Sequence, residues 1–83
     1  MLFRSITASP NPVANILKLS FGDIQEELNI TIYSSTGQKI LETFTSEDSY
    51  HFIDMSSFQD GLYVIEIRNS MQEYLSRLKI VKE

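Results

Sequence analysis

The chain has no cysteine and no tryptophan, and only one histidine, two prolines and three glycines. Without cysteine, neither a disulfide framework nor a thiolate metal site can form. A lone histidine does not complete a tetrahedral zinc site. Eleven serines are present, but a Ser-His-carboxylate triad would have to be built on His51 alone. His51 falls in a strand-like run, where an outward-facing structural residue is expected. The glycines stand at 22, 37 and 61, too far apart to cradle a phosphate. The adjacent carboxylates Glu26-Glu27 and Glu47-Asp48 lack the spaced oxygen ligands of a calcium loop. No catalytic, cofactor-binding or metal-binding residue is predicted, and the chain is not expected to be an enzyme.

Positive charge is also scarce. Seven basic residues against eleven acidic ones give a net charge of −4, which argues against a sequence-independent grip on nucleic acid. The imbalance is local: residues 1–67 carry three basic and nine acidic side chains. Residues 68–83 reverse it, with Arg68, Arg77, Lys79 and Lys82 against Glu73 and Glu83. No apolar run approaches the ~18 residues of a membrane span, so no membrane insertion is expected. The start, Met1 to Pro10, has no apolar stretch of the kind found in a signal peptide. If the domain is exported, its leader lies further upstream, in a longer precursor.

What the chain does have is alternation. With 83 residues and 42% hydrophobic content, it is the size of one small domain, residues 1–83, with a single modest core. Leu17, Leu19 and Phe21 alternate with Ile16, Lys18 and Ser20; Leu28, Ile30 and Ile32 alternate with Asn29, Thr31 and Tyr33. That period of two predicts strands. Ser34 to Gly37 reads as a hairpin turn, Gly37 supplying a positive φ. A return strand over about 38–44 follows, with Ile40 as its core residue. Tyr50 to Met55 forms a short strand, and the connection Ser56 to Asp60 tucks Phe58 inward. Gly61 to Arg68 is the most strand-like run, with Tyr63, Ile65 and Ile67 on one side and Leu62, Val64 and Glu66 on the other. It is apolar enough on both sides to be a central strand.

Adding a first strand over about 2–9 and a last one after Ser70 gives about seven, an antiparallel sandwich. Asp23 is placed to cap a helical turn. Residues 71–82 resist the pattern. Met71, Tyr74, Leu75, Leu78 and Val81 follow a helical spacing among good helix formers. A strand would instead put Tyr74, Leu78 and Ile80 inward and Arg77 and Lys79 outward, with Lys82 beyond the last pairing. Spacing alone leans towards the helix.

Three motifs carry a resemblance. Pro10-Asn11-Pro12 precedes Asn15 and the alternating Leu17-Lys18-Leu19 strand. Asp60-Gly61-Leu62-Tyr63 opens the central apolar strand. Lys79-Ile80-Val81-Lys82 is a short basic-apolar ending, and Tyr33 with Gly37 adds a tyrosine and a turn glycine. In order and spacing they resemble the C-terminal sorting domain of type IX (Por) secretion cargo. The match runs over about residues 6–83, with a sandwich over 16–82. Ser9 departs from it, standing before Pro10 where an aromatic is frequent.

The resemblance implies an all-β, immunoglobulin-like antiparallel β-sandwich of about seven strands, and it makes the last segment a strand. It also implies an export address: an upstream cargo, absent from this chain, crosses the periplasm and passes the outer-membrane type IX translocon. A sortase-like surface peptidase then usually removes the domain, leaving the cargo at the cell surface or outside the cell. The sorting-motif residues are Pro10, Asn11, Pro12, Gly37, Asp60, Gly61, Tyr63, Lys79, Ile80, Val81 and Lys82. Independently of the family, Pro10 and Pro12 remove donors and interrupt strand pairing. Tyr63 can bury its ring while its hydroxyl reaches a backbone carbonyl, as in a tyrosine corner. An edge strand allows a homodimer of the isolated domain. The alternative functions are an adhesive or carbohydrate-binding module and an immunoglobulin-like spacer.

Overall fold

The structure is a computed structural model that describes residues 6–47 and 49–83. Among these residues the strands are β1 (Thr7–Ser9), β2 (Ile16–Ser20), β3 (Leu28–Ser34), β4 (Lys39–Thr45), β5 (Tyr50–Asp54), β6 (Gly61–Asn69) and β7 (Tyr74–Lys82). They form two antiparallel sheets, ordered β1-β2-β5 and β4-β3-β6-β7. The predicted seven-stranded sandwich is therefore the observed architecture. Residues 2–5 of the expected first strand lie outside the described residues.

The alternating apolar residues meet between the sheets. Leu17, Leu19, Phe21 and Ile53 face Leu28, Ile30, Ile32, Ile65, Ile67 and Ile80, all essentially without solvent exposure. Val13 and Met55, from the connections after β1 and β5, fill the space between the layers and are fully buried. Each such side chain contributes roughly 1.5–3 kcal/mol relative to leaving it in water. The outer side of β3 is buried too. Asn29 donates to Glu42 at 2.7 Å and accepts from the Thr31 hydroxyl at 2.9 Å, so these polar groups are paired.

Five expectations fail, three of them through strand irregularity or strand position. Ile40 is 42% exposed and not in the core. The register shifts between Ile32↔Leu41 and Tyr33↔Lys39, leaving Ile40 as the unpaired residue of an edge strand. The helical spacing of 71–82 is overridden by pairing with β6 over Tyr74–Lys82. Tyr74 does not point inward: the register shift from Ile67↔Ser76 to Arg68↔Tyr74 makes Leu75 the extra residue. Leu75 packs on the core instead, while the Tyr74 ring stands outside with the Arg68 guanidinium 4.4 Å from its centroid. His51 pairs with buried Leu19, so it lies half-buried on the inner face of edge strand β5, not facing out. Finally, Asp23 caps no helix: a turn closes through Ile24 N–H donating to Phe21 O at 3.2 Å.

The strands define two poles. The connections after β1, β3 and β5 and the end of β7 gather at one. The connections after β2, β4 and β6 gather at the other, where β1 also begins. The long axis is 35 Å against 22 Å across.

Candidate functional site

All eleven sorting-motif residues lie at the first pole, in its loops or the strand ends leading into them. The Pro10-Asn11-Pro12 loop, with both Ser9-Pro10 and Asn11-Pro12 bonds cis, lies along the free edge of β7. Asn11 bridges to it with its side-chain amide. Nδ2 donates to Lys79 O at 3.1 Å, and Val81 N–H donates to Oδ1 at 2.9 Å. Val13 continues the contact: its N–H donates to Val81 O at 2.8 Å, and its carbonyl accepts from Glu83 N–H at 2.9 Å. The first and last motifs, far apart in sequence, are thus one surface.

The central motif joins them through β6. Gly61 pairs with Lys82, and Tyr63 with Ile80. Gly61 has φ +147° and Gly37 φ +89°, with nothing within 4 Å of an added Cβ at either. Glycine is needed there for backbone conformation, not for space. Tyr63 is buried, its hydroxyl donating to Gln59 O at 2.6 Å and its ring 5.4 Å from that of Phe58. That is the tyrosine corner expected from the sequence, with Phe58 tucked in beside it.

Lys82 departs from expectation. It pairs with Gly61 and is buried, its Nζ 3.6 Å from Asp60 Oδ1, a carboxylate that is itself largely exposed. Its side chain, ammonium included, is only 7% exposed, and Nζ also donates to Glu83 O at 3.5 Å, so the buried charge is paired. Lys79 and Val81 remain on the outer face. Val13 is a residue the sequence did not single out. Its one signal is an apolar residue directly after Pro12, isolated from any alternating run.

Beside these motifs the β3–β4 turn and residues 57–63 enclose a cleft of about 530 Å³, with Ile40, Phe58 and Leu62 among its walls. Away from this pole, the outer face of β2 and β5 carries the exposed rings of Tyr50 and Phe52, 5.7 Å apart, with Lys18 Nζ 4.5 Å from the Tyr50 centroid. Among the described residues no cluster of three His, Asp or Glu side chains could hold a metal ion. Two carboxyls are shifted by hydrogen bonds. Hydrogen bonds from the Ser56 hydroxyl and N–H hold the Asp54 carboxyl below its ordinary range, and the bond from Asn29, then Lys39, lowers that of Glu42.

The family model of the secretion system C-terminal sorting domain matches residues 8–83. The chain belongs to that family. It is a type IX sorting signal, a domain that directs export to the cell surface or the extracellular space. The sorting domain is also 29% identical, over 75 residues, to the ulvan lyase NLR42 of Nonlabens ulvanivorans. That alignment takes in 89% of this chain but 14% of the lyase. In fold, the sorting domain is similar to a DUF3244-family protein of Bacteroides vulgatus with an immunoglobulin-like β-sandwich. The TM-score is 0.73 at 17% identity, over 96% of each chain.

Proposed function

We propose that residues 1–83 are the non-catalytic address of a longer precursor, and that the type IX translocon reads the motif pole as a folded surface. The observation that carries this reading is convergence: three motifs scattered along the chain meet at one pole. β1 begins at the opposite pole, so an upstream cargo would leave the read surface clear. In this reading cargo passes from the periplasm through outer-membrane translocon components. A sortase-like surface peptidase then cuts before the domain. Edge strand β4, unpaired on one side, would permit homodimers once the domain is free.

The test is a fusion of residues 1–83 behind an exported fluorescent protein, in a host with the secretion system. Lys79→Glu changes an outward side chain of the last motif and should shift stability by less than ~0.5 kcal/mol. The variant should fold but leave the reporter in the periplasm. Normal surface delivery of the folded variant would remove Lys79 from the recognised surface. The exposed Tyr50–Phe52 pair favours a second reading, a carbohydrate-contacting face. Glycan-array binding abolished by Tyr50→Ala would support it.

A further inference from the structure

The free edge of β7 is closed in an unusual way. An outer strand normally presents unpaired N–H and C=O groups, a template for another chain. From Lys79 O to Glu83 N–H those groups are taken. Val81 N–H and Lys79 O are held by the Asn11 side chain, and Val81 O and Glu83 N–H by the Val13 backbone. Pro10 and Pro12 have no N–H to offer, so backbone pairing cannot be completed beside Lys79. The primary amide of Asn11 supplies both a donor and an acceptor in place of a peptide group. Asn11 is itself exposed and has no core side chain to pack, so its two bonds to β7 are its structural content.

We infer that Asn11 is the residue that finishes the β7 edge, so that the C-terminal motif is met by partners through side chains on a closed surface. Strand addition, in which a partner extends the sheet, is blocked there. The statement about partners rests on the reading of this pole as the recognised face. The edge closure itself does not, and the two fail separately.

The experiment uses the whole chain and needs no secretion host. Amide exchange is measured by NMR in the parent, Asn11→Ala and Asn11→Asp, alongside sedimentation over a concentration series. In Asn11→Ala the Val81 amide loses its acceptor and should exchange about tenfold faster, the scale of one lost hydrogen bond. The Ile65 amide, deep in β6, should stay within about twofold of the parent. Asn11→Asp keeps the acceptor for Val81 N–H but not the donor to Lys79 O, so Val81 should fall between the two. Asn11→Ala should also associate at concentrations where the parent does not. By the alternation of the strand, Arg77 has its N–H on the same free edge as Val81. Adding Arg77→Pro to Asn11→Ala, which removes that edge donor, should return the protein to the parent's behaviour. A Val81 amide as protected in Asn11→Ala as in the parent overturns the inference. So does an equal loss at Ile65, which would mean general destabilisation, and so does a variant that associates no more than the parent.

Discussion

Tyr63 and Lys82 show how differently two motif residues of one pole can be built. The ring of Tyr63 is buried and its hydroxyl is satisfied by Gln59 O. Truncation to alanine should cost ~3–5 kcal/mol, a large share of the ~5–15 kcal/mol available to a domain. Tyr63→Phe should cost only ~1 kcal/mol, the net value of one hydrogen bond. Thermal melts of both variants check this, and equal losses would mean the hydroxyl, not the ring, holds the corner. This role was legible in advance, because glycine followed two residues later by tyrosine at the head of an apolar strand has a known physical use. Lys82 was not legible: a lysine near a chain end reads as free and solvated. Only the pairing of β6 with β7 reveals that its stem is covered. Lys82→Glu would set a carboxylate beside Asp60 under that cover, so its melting temperature should drop by more than ~10 °C. Each kcal/mol shifts a domain of this size by ~4–8 °C. Lys79→Glu should move it by no more than ~4 °C. If both variants melt alike, the cover over Lys82 is not maintained in solution.

β7 is the element on which sequence pattern and tertiary pairing disagree. Its residues are good helix formers at helical spacing, but one hydrogen-bonding edge of β6 lacks a neighbour unless this segment extends along it. Long-range pairing decides the outcome, as it routinely does against weak local propensity. The bulge at Leu75 then explains the false signal: one extra residue puts Leu75 on the inner face in place of Tyr74, which mimics a helical step. A peptide of residues 70–83 should therefore turn helical in trifluoroethanol, while the intact domain shows strand chemical shifts over 74–82. Strand-like behaviour of the isolated peptide would mean that local preference had been misjudged. β4 hides its irregularity in the same way, since the shift at Ile40 leaves no trace in the alternation. β3 and β4 are also linked by Glu42, whose folded carboxyl sits below its ordinary range because Asn29 donates to it. A lowered folded value means the stabilisation is present above the unfolded carboxylate range and is lost as pH falls through the folded value. Acidification should thus loosen this strand pair first at Glu42, and Glu42→Gln should flatten that part of the pH profile. An unchanged acid profile in Glu42→Gln would assign the effect to other carboxylates.

At the scale of the whole molecule, the two poles differ in charge as well as in content. The loops opposite the motifs carry Asp23, Glu26, Glu27, Glu47 and Glu73 with no basic residue, whereas Lys79 and Lys82 stand at the motif pole. β1 begins at the acidic pole, so a reporter fused upstream of it should approach from that side, whereas one joined after Glu83 should cover the motifs. Both fusions should fold, but only the first should be delivered to the surface. Equal delivery would show that the translocon reads a side of the sandwich and not its end. The architecture and three motifs could be read from alternation, turn residues and order. The meeting of those motifs could not, since it depends on Asn11 reaching a strand 68 residues away. The Val13–Lys82 bridge has the two segments running parallel, with the start of β1 and the end of β7 at opposite poles. Tension applied between a bulky passenger and a held C-terminus therefore pulls those hydrogen bonds along the strand direction, loading them together and not one by one. The loop that joins the motifs is also where a mechanical pull across the domain would first be borne.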